Sequence, residues 1–228
     1  MPTITVDAIL FDMDGTLIDS TPGVIKAWRT FGKEYGFDPE AAIVATHGVR
    51  LWDSMKIWCN IDDDVKLKAE AMRFEEVVIE GGPIALPGVL TLLDQIRTGS
   101  TASTPGWTVV TSATSFYAPK ALVSAGVEVS PYVPITTAND VTRGKPYPDP
   151  FATGAKSLNV DPKNCLVVED AVSGILSGKA AGARVLGVCT SSEREVVATA
   201  KPDWIVPDLT HVSVKWVDGK VEVTINDA

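Results

Sequence analysis

Histidine is nearly absent. The chain of 228 residues has two, His47 and His211, which excludes a metal centre built from several imidazoles. Cysteine is almost as scarce. Cys59, Cys165 and Cys189 are odd in number, far apart and form no CxxC, so neither a disulfide framework nor a thiolate zinc site is encoded. No run approaches the ~20 apolar residues of a membrane span. The segment Met1–Asp7 has no basic start, and the apolar run after it stops at Asp12. The expectation is a cytoplasmic protein without membrane contact. Positive charge is in deficit, with 20 basic against 29 acidic residues and a formal charge of −9. Phosphate backbones would repel such a chain, so nucleic acid is not an expected partner. Internal repeats and low-complexity tracts are missing too, and 45% hydrophobic with 21% charged residues is globular composition.

What is present is strand alternating with helix. Val6–Phe11 is a short apolar run with a turn signal after it, as in a buried parallel strand. Similar runs recur at Trp107–Thr111, Val133–Thr137, Cys165–Val168, Arg184–Val188 and Trp204–Val206. Between them, Leu90, Leu93 and Ile96 share one helical face, as do Phe151, Ala155 and Leu158. The pattern predicts an α/β fold with a doubly wound, Rossmann-like parallel sheet.

Residues 19–85 read differently. Thr21 is the expected N-cap and Pro22 a first-turn proline, followed by Trp28, Phe31 and Tyr35 at helical spacing until Gly36. Asp62-Asp63-Asp64 precedes a second helix with Leu67, Ala71, Phe74 and Val78 on one face. Gly81-Gly82-Pro83 then breaks the chain, and no strand-like run occurs. The expectation is a small all-helical domain (19–85) inserted after the first strand of a core formed by 1–18 and 86–228. Near the C-terminus, Val212, Val214 and Trp216 alternate, Asp218-Gly219 is a type I′ turn pair, and Val221, Val223 and Ile225 alternate back. This hairpin is expected to extend or cover a sheet edge.

The strongest chemical signal is Phe11-Asp12-Met13-Asp14-Gly15-Thr16, directly after the first strand. It places two carboxylates at the carboxyl end of a parallel strand, where open α/β sheets bind ligands. DxDG also occurs in calcium loops, but an EF-hand needs a Glu at its twelfth position and does not follow a strand. Three further motifs come in order: Thr111-Ser112-Ala113-Thr114, Gly144-Lys145-Pro146, and Val167-Val168-Glu169-Asp170. Together they resemble the haloacid dehalogenase superfamily in its aspartate-nucleophile phosphatase form. The resemblance spans nearly the whole chain, and the helical insert looks like that superfamily's small cap.

Phosphoryl transfer needs a nucleophile, positive charge on the phosphate oxygens and positioning. Asp12 is the candidate nucleophile, forming an aspartyl-phosphate. Asp14 is the candidate general acid and base. Thr16 is placed to orient the loop and counted with the substrate-binding residues. Lys145, in a loop rigidified by proline, is the fixed ammonium that offsets the carboxylates and holds a phosphate oxygen. Four clustered carboxylates, Asp12, Asp14, Glu169 and Asp170, require a cation, and hard oxygen ligands beside phosphate favour Mg²⁺. By resemblance the ligands are Asp12, the backbone carbonyl of Asp14, and Asp170, with Glu169 a further ligand or an acceptor for bound water. Also by resemblance, Thr111 or Ser112 binds the phosphate with the next backbone N–H; Ser112 and Ala113 are favoured.

Within the insert, His47-Gly48-Val49-Arg50 interrupts the helical pattern, and His47 and Arg50 are expected to reach the substrate. This element, with the Thr136–Val141 run and Glu169–Gly182, resembles fungal glycerol-phosphate and 2-deoxyglucose-6-phosphate phosphatases. The resemblance implies a phosphomonoesterase of small sugar or polyol phosphates, and a monomer is expected. Trp28, Trp52 and Trp58 are expected to be core rather than ligand platforms. Three alternatives share parts of this pattern. Phosphomutases of the β-phosphoglucomutase type carry a histidine twelve residues after the nucleophile, where this chain has Val24. Carbon–halogen hydrolases lack the second Asp, present here as Asp14. A non-catalytic binding protein would have no need of the full set of catalytic residue types. The insert is expected to hinge near Leu17–Ser20 and Gly81–Gly88.

Overall fold

Ala8 to Phe11 is buried at every position, which a strand achieves only with helices on both faces of its sheet. The computed structural model describes residues 1–226. The first apolar run divides into two strands, β1 (Thr3–Val6) and β2 (Ala8–Phe11). The single polar residue between them, Asp7, donates its N–H to Asn164 O at 2.8 Å and pairs with Lys220 at 2.9 Å. The chain then continues through β3 (Ile18–Asp19), α1 (Thr21–Tyr35), α2 (Pro39–Ala45), α3 (Leu51–Trp58), α4 (Asp64–Glu80) and β4 (Ile84–Ala85). Next come α5 (Val89–Arg97), β5 (Trp107–Val110), α6 (Ala118–Ser124), β6 (Ile135–Thr136), α7 (Asp149–Ser157) and β7 (Cys165–Glu169). It ends with α8 (Val172–Ala180), β8 (Arg184–Val188), α9 (Arg194–Thr199), β9 (Trp204–Val206), β10 (Val212–Val217) and β11 (Lys220–Ile225).

Six parallel strands form the main sheet in the order β6-β5-β2-β7-β8-β9. Alternate residues of β2 enter different cores: Ile9 and Phe11 pack with Trp107, Val109 and Leu166, whereas Ala8 and Leu10 pack with Phe151, Ala155 and Ile175. The fold is therefore the expected doubly wound α/β architecture. The strand order reverses at β2, between β5 and β7, so their carboxyl ends flank one crevice, the usual ligand site of such sheets.

The helical insert has its own apolar centre, in which Phe74 meets Trp28 at 4.8 Å and Phe31 at 5.3 Å between ring centroids. Trp28 is buried, as expected of core, and Trp52 and Trp58 pack partly buried against it. Three expectations need correction. Ser20, not Thr21, is the N-cap of α1, and its hydroxyl donates to Asp14 instead of capping the helix. The insert is not strand-free at its ends: Ile18 pairs with Ala85 and Asp19 with Ile84 in a short antiparallel ribbon that joins its two ends. Leu90 points to solvent, and α5 instead buries Val89, Leu92, Leu93 and Ile96.

The C-terminal hairpin forms with Asp218 and Gly219 both at positive φ, as the turn pair requires. It does not extend the main sheet. It pairs with β1 in a separate antiparallel sheet, β1-β11-β10, that lies on α5. There Gln95 Oε1 accepts from Val214 N at 2.8 Å, and Trp216 Nε1 donates to Ile96 O at 2.7 Å.

Candidate active site

Asp12 leaves β2 with its N–H on Val168 O of the neighbouring strand at 2.9 Å. Gly15 then turns the loop with a φ of 87°. A Cβ there would overlap the Asp170 carboxylate, so the first and last motifs meet only because the residue is glycine. Acceptor atoms of Asp12, Glu169 and Asp170 all lie within 4.8 Å of one another, and all three residues are buried. Lys145 is buried with them. Its ammonium donates to Asp12 and, at 2.7 Å, to Glu169 Oε1. The other oxygen of Glu169 accepts the Ala171 N–H at 2.8 Å.

Burial opposes charge on every member of this cluster. It pushes Glu169 up to about 8 against the pull of Lys145. It raises Asp12 as well, Lys145 again opposing and Asp170 adding to the rise. Burial also works against the Lys145 ammonium, but Asp12 and Glu169 outweigh it and hold the group above the ordinary lysine range. At Asp170 burial is overcome by hydrogen bonds from His47 and Ser191, and the carboxyl lies below its usual range.

Asp14 faces the cavity in a different setting. Its Oδ1 accepts from Ser20 Oγ at 2.6 Å and from Tyr117 OH at 2.8 Å. Burial pushes it up to about 6, with the Ser20 bond opposing. Two carboxylates one residue apart thus have different partners: one is held by an ammonium, the other by two hydroxyls. Sequence reasoning missed Ser20 and Tyr117. The only local signal was the position of Ser20 at the helix start, and Tyr117 lies 103 residues from Asp14.

The remaining expected site residues divide. Thr16 is fully buried and donates to Asp170 Oδ1 at 3.1 Å, so it orients that carboxylate instead of facing a substrate. Ser112 and Ala113 line the cavity, and Ser112 Oγ lies 3.2 Å from Gly48 O. Thr111 turns its hydroxyl back onto the Ala113 N–H at 3.0 Å. His47 lines the cavity and lies 3.0 Å from Asp170 Oδ2 and from Ser191 Oγ, the latter another residue that the sequence did not reveal. Its hydrogen bond to Asp170 raises the imidazole above its usual range. Arg50 does not reach the cavity. Its guanidinium holds Asp53 at 2.8 Å and Thr142 O at 3.0 Å, and its stem lies against Gly144. It braces the loop that carries Lys145.

A cavity of about 190 Å³ opens over Asp12 and Asp14. The sheet side contributes the motif loops. The helical side is mainly apolar, including Val24, Ile25, Trp28, Ile43 and Phe74. Glu75 of α4 is the carboxylate of this side: it is buried, and it takes Thr114 Oγ1 at 2.5 Å and Thr114 N at 3.2 Å. Burial pushes its carboxyl up to about 7, the Thr114 bonds opposing.

The donor set suits a hard divalent cation. Three buried carboxylates converge, burial raises two of them, and a single ammonium leaves the cluster with excess negative charge. Glu169 accepts from Lys145 and the Ala171 N–H, Asp170 from Thr16 and Ser191 with His47 beside it, and Asp12 from Lys145 on Oδ1.

Comparison with known proteins agrees with this geometry. The family model "haloacid dehalogenase-like hydrolase" matches residues 6–182. Hexitol phosphatase A of Escherichia coli is 39% identical over 78% of this chain and 81% of its own. Glycerol-1-phosphate phosphohydrolase 2 of Saccharomyces cerevisiae is 34% identical over 93% of this chain and 86% of its own. 2-Deoxyglucose-6-phosphate phosphatase 2 of the same yeast is 30% identical over 94% of this chain and 92% of its own. Four ordered motifs meeting at the switch point of one parallel sheet, and a match over most of the length, place the chain in the haloacid dehalogenase-like hydrolase family.

Proposed function

We propose that this protein is a Mg²⁺-dependent phosphomonoesterase of small sugar or polyol phosphates that works through an aspartyl-phosphate on Asp12. The observation that carries the reading is the pair Asp12 and Asp14, adjacent on one loop, facing one cavity and held in contrasting environments. Such contrast separates the roles of two carboxylates.

An Asp12 oxygen bonds to phosphorus as the phosphorus–alcohol bond breaks, and the protonated Asp14 carboxyl gives its proton to the departing alkoxide. Asp14, now a carboxylate, takes a proton from water as the water oxygen bonds to phosphorus. The Asp12–phosphorus bond breaks, and inorganic phosphate leaves. Ser20 and Tyr117 keep Asp14 in place through both steps. Lys145 neutralises a phosphate oxygen and is itself aimed by Glu169. Ser112 and the Ala113 N–H, with their neighbours at the end of β5, receive the transferred phosphoryl group by exchanging Gly48 O and the Thr111 hydroxyl for its oxygens. Asp12, Asp170 and the Asp14 carbonyl would hold Mg²⁺, which supplies positive charge to the phosphate oxygens. Thr16, His47 and Ser191 orient Asp170 from three sides.

Residues 19–85 act as a cap on the core of 1–18 and 86–228, hinged at the β3–β4 ribbon, and closure excludes bulk water. The named activities of the relatives support small polyol and sugar phosphates as substrates. Val24, which stands where mutases of similar pattern carry histidine, is an apolar lining residue and supports hydrolysis over transfer between sugar hydroxyls. The test is phosphate release from glycerol phosphates, hexitol phosphates, 2-deoxyglucose 6-phosphate and glucose 1-phosphate, with Mg²⁺ and then with a chelator. Mg²⁺-dependent release from the polyol and hexose 6-phosphates is expected. Absence of release from every ester by folded protein would refute the reading, and isomer formation from glucose 1-phosphate would replace it with a mutase.

A further inference from the structure

Glu75 has no part in the chemistry described above, yet it lies in the same cavity. Among the described residues it is the only carboxylate that the helical insert contributes to the cavity lining. Two hydroxylated side chains on that wall are committed: Ser54 Oγ donates to Arg50 O at 3.1 Å, and Thr46 Oγ1 to Ala42 O at 2.8 Å. A carboxylate has about four acceptor positions. Thr114 takes one on each Glu75 oxygen, and Glu75 lines the cavity beside Phe74 and Val78. Asp14 opposes and Lys120 favours its charge, and a buried carboxylate in a largely apolar wall is costly unless its remaining acceptor sites are filled. Thr114 follows Ser112 and Ala113 in the loop assigned to the phosphate, so Glu75 sits one loop residue beyond the phosphoryl group.

We propose that Glu75 determines specificity by accepting a hydrogen bond from a hydroxyl of the substrate's alcohol portion, so that the site selects phosphate esters of polyhydroxylated alcohols over alkyl phosphates of equal length. The inference rests on the phosphatase reading and deepens it. A substrate hydroxyl completes the acceptor set of Glu75, whereas an alkyl chain leaves a desolvated carboxylate short of partners. Sites built to bind a substrate hydroxyl discriminate strongly against analogues that lack it.

The experiment compares kcat/KM for glycerol 1-phosphate and n-propyl phosphate in wild type, Glu75→Gln and Thr114→Val, each checked for folding by circular dichroism and thermal melting. Wild type is expected to prefer the glycerol ester, and Glu75→Gln to lower that preference about tenfold to a hundredfold, the worth of a hydrogen bond to a charged group. Thr114→Val removes the clasp but keeps the carboxylate, and is expected to retain the preference. Should Glu75→Gln fail to fold, Glu75→Asp, which keeps the charge and shortens the reach, is expected to lower the preference in its place. An unchanged ratio in a folded Glu75 variant overturns the inference. So does an equal loss of preference in Thr114→Val, which would assign the effect to loop placement. Absence of phosphate release by wild type from any ester would overturn the phosphatase reading itself; release with an unaltered ratio overturns only the role of Glu75.

Discussion

The sheet side of the cavity is a closed set of polar contacts: Lys145 joins Asp12 to Glu169, Thr16 and Ser191 hold Asp170, and Ser20 and Tyr117 hold Asp14. The helical side is mostly hydrocarbon, with Glu75 set into it. The sheet side therefore resists change through electrostatics, because removing one partner strands another charge away from water. The helical side tolerates change in shape and volume, the property that sets which alcohol fits. On the proposed reading, chemistry and selectivity are carried by different physical forces on the two walls.

Substitutions on each wall sharpen this contrast. On the sheet side, Asp14→Asn removes a proton donor and acceptor while keeping a hydrogen-bonding group for Tyr117. Turnover is expected to fall about 10²–10⁴-fold with the fold intact, as read by steady-state phosphate release and thermal melting. A drop below tenfold would remove Asp14 from the acid–base role. Lys145→Met leaves Asp12 and Glu169 buried without their cation, and stability is expected to fall by about 3–5 kcal/mol in denaturant unfolding. A loss under about 1 kcal/mol would mean that the cluster is hydrated and open.

On the helical side the effect is smaller and depends on pH. Folding raises the Glu75 carboxyl from 4.5 to about 7. Its contribution to stability is fully present below the unfolded value and is lost as pH rises through 7. Glu75→Gln does not titrate, so the stability of the variant relative to wild type should increase from pH 5 to pH 8 by on the order of 2–3 kcal/mol. A constant gap across that range would show that Glu75 is hydrated rather than buried in the apolar wall.

The same contrast explains what the sequence disclosed. Asp12, Lys145 and Asp170 sit in short motifs at strand ends or in proline-stiffened turns, where neighbours along the chain define the backbone. Ser20, Tyr117, Ser191 and Glu75 gain their roles only from segments that meet in space, such as Tyr117 on Asp14 and Glu75 on Thr114 across 39 residues. Arg50 differs from its expected place for the same reason: adjacency to His47 suggests a shared target, but Arg50 is the N-cap of α3 and its guanidinium goes to Asp53 and Thr142. The parallel strands were legible as apolar runs. The division of the first run into β1 and β2 was not, because it turns on Asp7 alone and on a hairpin more than two hundred residues away, where Val6 pairs with Val221.

The central claim is that Asp12 becomes covalently phosphorylated. Enzyme mixed with a turned-over ester, quenched in acid within one turnover and reduced with borohydride should carry homoserine at position 12, the reduction product of an acyl phosphate, detected by peptide mass spectrometry. Unmodified Asp12 in samples that have released alcohol but not yet phosphate would contradict the account.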